Sequence, residues 1–421
     1  MLPNGWQRTT LGDIGSVKSG GTPARSHHDR YFLNGKWPWV KTMDLTNSEI
    51  LRTDELITEA ALQESACKLF PPGTLLVAMY GGFKQIGRTG ILRTESAVNQ
   101  AISAIELDQI NAHPEFVLQW LNGNVSAWRN FAASSRKDPN ITRDNVCDFP
   151  VTLPTLGEQR RIAQILSTWD QAIAKAERLL ANSLNQKLLL SQQMLTGKVR
   201  LSHFNASGQK RKTPYGLLPV EWEYRKIGGV ATEVNQKLGD AAPFPVLSCT
   251  KHQGLVDSLG YFNKQVFSVD TSTYKVVPRS CFVYATNHID EGSIGYQDLY
   301  DFGLVSPMYT AFKANADVSD AYLFALLKTE HYRQIFASAT NASVDRRGSL
   351  RWKDFKNLHI PVPPIKEQMA IANVLTLAGS EGDLIKKQLD LLRKEKATLM
   401  AVLLTGKRRV HVHDAELEIQ A

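Results

Sequence analysis

Cysteine is scarce in this chain and nowhere clustered: Cys67, Cys147, Cys249 and Cys281 stand alone among 421 residues, with no CxxC step. That spacing excludes a disulfide framework and the common zinc sites, so reduced thiols, a cytoplasmic location and no bound metal are expected. No run approaches the ~20 uninterrupted apolar residues that a membrane span requires. The opening MLPNGWQRTT also lacks the basic-then-apolar order of a signal peptide, so neither anchoring nor export is expected. Catalytic signatures are missing as well: there is no GxxxxGK[ST], GxSxG or HExxH, and no Gly-rich cofactor loop follows an early strand. The [DN]PP[YF] segment of adenine methyltransferases is absent too, Asp138, Pro139 and Asn140 matching it only superficially. No catalytic residue is assigned.

What is present points to an ordered protein with a polyanionic partner. A chain of 421 residues is long enough for two to four domains. Its 43% hydrophobic and 21% charged residues are ordinary for a folded globular protein. Lysine and arginine outnumber the acids by 49 to 41, a formal charge of +8, which favours phosphate-rich surfaces.

The chain repeats itself. PTLGEQRRIAQIL from Pro154 returns as PPIKEQMAIANVL from Pro363, and LTGK at Leu195 returns at Leu404, both 209 residues later. Alternating apolar positions lead into each block, Phe149, Val151, Leu153 and Leu358, Ile360, Val362, and predict a strand there. Upstream, LPNGWQRTTLGDIG resembles LPVEWEYRKIGGVA with an offset of 216, so the interior of the unit tolerates changes of length. The order read from this is a first variable domain (1–153), a helical spacer (154–201), a linker (202–218), a second variable domain (219–362), a second spacer (363–408) and a tail (409–421).

Between Glu158 and Leu195 there is neither proline nor glycine, and Ile162, Leu166, Trp169, Ile173 and Leu180 recur at steps of three and four. The second block carries Ile371, Leu375, Ile385, Leu389 and Leu399 in the same way, although Gly379 and Gly382 predict a kink or a break. Such seams predict coiled-coil helices of roughly 55 Å at 1.5 Å per residue. Each seam needs a partner, and the other copy is the obvious one. An antiparallel pair would act as a spacer with a variable domain at either end. Gly197 and Gly406 fit left-handed helix C-caps.

The variable domains read as mixed α/β globules, giving an α+β chain with an internal pseudo-two-fold repeat. Both hold a strand, a polar loop, an IG turn and a strand. The first loop offers Tyr80, Gly81, Gly82, Lys84, Gln85 and Arg88, the second Thr286, Asn287 and His288. Such side chains suit base edges and phosphates, and the glycines allow close approach. An ordinary hairpin loop is the competing reading of the first. Each domain then ends in a basic, hydroxyl-rich loop: Arg136, Lys137, Asn140 and Arg143 in one, Arg346, Arg347, Ser349, Arg351 and Lys353 in the other. Their recurrence at matching positions favours backbone clamps over a solvated charge cluster.

With these motifs in place, the chain resembles the specificity subunits of type I restriction and modification systems, known as HsdS. The resemblance rests on the two PxxxEQxxIAxxL entries and the LTGK exits. SGGTP at Ser19 to Pro23 and WVKTMDL at Trp39 to Leu45 support it. It implies two target recognition domains reading the halves of an asymmetric bipartite double-stranded DNA site, and helices that space them and dock two modification subunits and the restriction/translocase subunits. It also implies that S-adenosylmethionine, ATP and Mg belong to those partners, whose pocket receives the flipped adenine. A regulator or scaffold without modification partners is the alternative.

Overall fold

Leu75, Leu76, Val77 and Ala78 form strand β1 (Leu75–Ala78), and β2 (Thr89–Leu92) returns antiparallel with Thr89 opposite Val77. Four apolar residues in a row belong between two layers. Leu76 and Ala78 face a core shared with Val40, Phe70 and Val98, while Leu75 and Val77 face the opposite one. The full sheet has the order Gly15–Ser19, Ile102–Leu107, β1, β2, Ser48–Ile50. A second sheet of Glu55–Ile57, Trp37–Val40, Ser96–Val98 and Leu69–Phe70 covers one side. On the other side lie helix α1 (Pro114–Gly123) and the stacked pair Trp128 and Phe149, ring centroids 3.8 Å apart. This core is closed by Ile162 and Leu166 from the long helix α2 (Leu156–Met194), and by Leu403 and Leu404 from the far end of the chain.

The second half repeats the plan. Ala231–Val234, Tyr309–Ala314, β3 (Cys281–Ala285) and β4 (Ile294–Gln297) take the same spatial order with one strand fewer. Helix α3 (Asp320–Leu327) stands where α1 stands in the first half. Its core, built on Phe282, Tyr284, Phe312 and Tyr322, is closed by Ile371 and Leu375 of helix α4 (Ile365–Leu403) and by Met194 and Leu195 of α2. The covering layer differs, being two separate two-stranded pairs. In both halves the first strand pairs with the strand that enters the long helix: Gln7–Thr10 with Pro150–Leu153, and Glu223–Lys226 with His359–Val362. The polar segment after α2 folds into a hairpin, Lys210–Thr213 with Gly216–Pro219, that is largely exposed but buries Leu218 and Pro219.

The structure, a computed structural model, describes residues 2–82, 84–132, 140–204, 207–213, 216–340 and 348–412. It divides into two compact units, Met1–Glu177 with Lys387–Ala421, and Arg178–Lys386. Each unit therefore holds one variable stretch, the first turns of its own long helix and the last turns of the other. Inside unit 1 the helix segments run antiparallel, Asp170 meeting Lys396 (2.5 Å) and Glu177 meeting Arg393 (2.7 Å). In unit 2, Gly382 approaches Ser183 and Gly379 approaches Lys187, again with numbers running in opposite directions. Of the expected seam, Ile162, Leu166, Ile371, Leu375 and Leu389 are buried, whereas Trp169, Ile173, Leu180, Ile385 and Leu399 are half-buried.

The kink or break expected at Gly379 and Gly382 is not found: α4 is one helix through both. A Cβ at Gly379 would lie 2.8 Å from the far end of the flexible Lys187 side chain, whereas at Gly382 it would meet Ser183 Oγ at an ordinary 3.6 Å. Helix packing on both sides outweighs the roughly 1 kcal/mol that each glycine costs relative to alanine. Gly197 and Gly406 have the left-handed φ expected of C-caps, +66° and +69°. They also allow a close contact: a Cβ would come within 2.5 Å of Pro219 Cδ at Gly197, and within 2.4 Å of Pro3 Cγ at Gly406. The LTGK exits thus pack against the LP entries of the variable stretches.

The EQ pair of each block joins three elements. Gln159 accepts from His113 N at the start of α1 (2.8 Å) and donates to the Asn111 and Pro154 carbonyls. Gln368 does the same for Ser319 N and the Asp317 and Pro363 carbonyls. Glu158 receives Arg409 (2.9 Å) and Glu367 receives Arg200 (2.8 Å), arginines that follow the LTGK exits.

Burial holds the His113 imidazole below its ordinary pKa, against the opposing pull of Glu115. Unfolded, this ring takes up a proton near about pH 6.5, whereas folded it stays neutral to lower pH. Unit 1 should therefore lose stability as pH falls from about 6.5 towards the folded pKa, and keep it above. His113→Asn should shrink the difference between urea unfolding at about pH 5 and about pH 7.5; an unaltered pH slope would refute this.

Candidate nucleic-acid interface

The polar segment Tyr80–Arg88 is the turn between β1 and β2, so the hairpin reading describes its backbone. Gly81, Gly82 and Gly87 all have positive φ (+108°, +72° and +76°), and a Cβ at Gly87 would come within 2.1 Å of the Trp128 ring. The turn is thereby pinned at its base, with Gly81 exposed and Gly82 buried. Tyr80 and Lys84 are exposed, and Gln85 and Arg88 are half-buried. Gln85 Nε2 donates to Met43 Sδ (3.5 Å), a methionine that is 64% exposed. Sequence reasoning passed over Met43, because a lone apolar residue in a loop carries no pattern.

One backbone hydrogen bond brings the two candidate loops of unit 1 together: Ile141 N donates to the Met79 carbonyl at 3.0 Å. Asn140 is half-buried there. Arg143 is exposed at the start of the short helix Arg143–Cys147, which Thr142 and Asn145 cap reciprocally. Arg136 and Lys137 lie outside the described residues.

Unit 2 repeats the junction. Leu350 N donates to the Thr286 carbonyl (2.8 Å), joining the turn between β3 and β4 to the segment that carries Ser349, Arg351 and Lys353. Arg351 and Lys353 are exposed beside the short helix Trp352–Phe355, the counterpart of Arg143–Cys147. Arg346 and Arg347 lie outside the described residues. Thr286 itself is buried and spends its hydroxyl on the Met308 carbonyl (2.9 Å). Asn287 is half-buried, and exposed His288 pairs with Glu291 through Nδ1 at 3.1 Å.

Among the described residues no cluster of three His, Cys, Asp or Glu could hold a metal, and no helix is long and apolar enough to cross a membrane. Burial pushes the Cys249 thiol up to about 12 and that of Cys281 to about 11, which leaves both protonated and inert near neutral pH.

Comparison with known proteins agrees with the repeat. The family model for the type I restriction modification DNA specificity domain matches twice, over residues 3–185 and 219–394. The putative type I restriction enzyme MjaX specificity subunit of Methanocaldococcus jannaschii is 21% identical over 97% of this chain and 95% of its own length. The MjaIX specificity subunit of the same organism is 26% identical over a shorter match, 45% of this chain and 43% of that protein. Among solved structures, the type I restriction-modification S subunit from M. genitalium superimposes with a TM-score of 0.59 at 15% identity, over 96% of this chain and 97% of that one. Two matches to the specificity model, covering most of a chain that folds as two copies of one plan, place this protein in the type I restriction-modification specificity subunit family.

Proposed function

We propose that the chain is the non-catalytic DNA address of a type I restriction-modification complex, with each unit reading one half of an asymmetric bipartite site in double-stranded DNA. The observation that carries this reading is the repeated junction of the polar turn between two paired strands with a basic segment, Met79 to Ile141 and Thr286 to Leu350. In each unit the side chains offered are of the kinds that hold phosphates and read base edges. The turns and covering layers differ between the units, which supports unlike half-sites.

The long helices would dock two modification subunits and the restriction/translocase subunits. Leu184, Leu188, Leu377 and Leu384 are 54–70% exposed on them, an apolar surface that favours covering by other chains. S-adenosylmethionine, ATP and Mg would be bound by those subunits, which would also carry out methylation and cleavage.

Co-expression with the neighbouring open reading frames, followed by sequencing of host DNA for methylated adenine, tests the reading. The expected result is one motif of two short unlike halves with a fixed gap. A stable complex that leaves host DNA unmethylated would instead support a scaffold or regulator.

A further inference from the structure

Because the two units share one framework, a side chain missing from one can be judged against its counterpart in the other. In unit 1 the space between α1 and the paired long helices is filled. Gln119 Nε2 donates to Asp170 Oδ2 (2.7 Å), and Lys396 Nζ donates to Asp170 Oδ1 (2.5 Å). Met400 packs beside Gly123, its Cε 3.3 Å from where a Cβ on that glycine would lie.

The counterparts in unit 2 follow from the repeat, 206 residues away for the short helices and 209 for the long ones. Gln119 becomes Ala325, Asp170 becomes Gly379 and Met400 becomes Ser191, whereas Lys396 stays a lysine, Lys187. These three filling groups are smaller in unit 2 and the cation is retained, while Ala174 becomes Asp383 and Gly123 becomes Thr329, both lining the same space. The result is a largely apolar cleft of about 1030 Å³, lined by all four of these residues. Leu188 and Leu217, 54% and 61% exposed, line it further. Among the described residues no carboxylate pairs with Lys187, in contrast to Lys396.

We propose that this cleft is a docking site for a segment of a protein partner that presents a carboxylate beside a long apolar side chain, the groups that Asp170 and Met400 supply in unit 1. Charge complementarity favours such an occupant. The lining holds three cations, Lys187, Lys198 and Lys328, against two carboxylates, Asp383 and Glu330, the latter spent on Arg333. Covering a surplus cation with apolar matter is costly unless a negative charge arrives with it. The site exists once per chain, because unit 1 fills the same position with its own side chains. The partner is a subunit of the restriction-modification complex, and to that extent the proposal rests on the function given above.

Two variants test it, each co-expressed with the modification and restriction subunits and weighed by native mass spectrometry. Ser191→Met, Ala325→Gln and Gly379→Asp together restore the three side chains that fill unit 1, with Thr329 left in place of Gly123. This variant should melt no lower than the parent chain and lose one partner contact. Lys187→Glu keeps the space but reverses the charge, and should weaken partner affinity about tenfold, a loss that shrinks in high salt.

Full subunit composition and parental affinity in a folded filled variant, or full affinity in Lys187→Glu, would overturn the proposal. So would a bound mass of a few hundred daltons, or self-association, that the parent chain shows alone and the filled variant loses. If the filled variant fails to fold, Lys187→Glu still decides. Absence of site-specific methylation with the parent chain would instead count against the function, not against the cleft.

Discussion

Glu367→Ala is expected to destabilise unit 2 by about 3–5 kcal/mol, and Glu158→Ala to cost unit 1 only about 1 kcal/mol, although the two glutamates occupy the same place in the repeat. The difference lies in what each leaves behind. Glu367 is 1% exposed and accepts from both Arg200, 6% exposed, and the buried indole of Trp222 (3.0 Å). Removing it strands a buried guanidinium and a buried N–H with no route to water. Arg200 would keep only Glu221 (2.7 Å). Arg409, the partner of Glu158, is 48% exposed and can turn outward, so most of its hydration is recovered. Glu367→Gln should fall between the two, because a neutral amide can still receive the indole but not balance the arginine. Urea unfolding combined with hydrogen exchange mapped to each unit measures both; equal costs for the two alanine variants would contradict this account.

The second large effect concerns binding of the methylated target by the assembled complex. Gln85→Ala should lower affinity about 10- to 100-fold, with the loss confined to one or two base pairs of one half-site, because an amide that pairs with a base edge discriminates by about 1–3 kcal/mol. Lys84→Ala and Arg351→Ala should weaken binding to all sequences alike and each reduce the slope of log K against log salt by about 1. Fluorescence anisotropy at several salt concentrations, on duplexes mutated one pair at a time, separates the two signatures. A Gln85→Ala profile that is flat across the duplex, with a reduced salt slope, would place this turn on the backbone instead of the bases.

The fold was legible in the sequence where physical chemistry leaves little choice. An apolar seam that recurs in two copies, the first without proline or glycine, is satisfied as long paired helices, and strand entries such as Val151 and Ile360 follow from alternation. The turns at Tyr80 and Thr286 were legible as strand-loop-strand. Less accessible was anything that depends on what lies across a contact. Gly379 and Gly382 read as helix breakers because propensity is local, whereas the helix packed against them is not. Thr286 looked like a surface donor, yet its hydroxyl is used inward on Met308. The PxxxEQ block drew attention as a repeat and as a mark of the family; that its glutamine ties a helix start to a strand exit, and its glutamate receives an arginine 167 residues before it or 251 after it, needed three dimensions. The cleft of unit 2 was hidden for the same reason, since it consists of side chains that are absent.

Pro3 lies against Gly406 just as Pro219 lies against Gly197. At Gly197 the segments in contact are 22 residues apart along the chain, whereas at Gly406 they are 403 apart. The same glycine-to-proline contact therefore closes two loops of very different length, and the one at Gly406 carries the larger entropic cost.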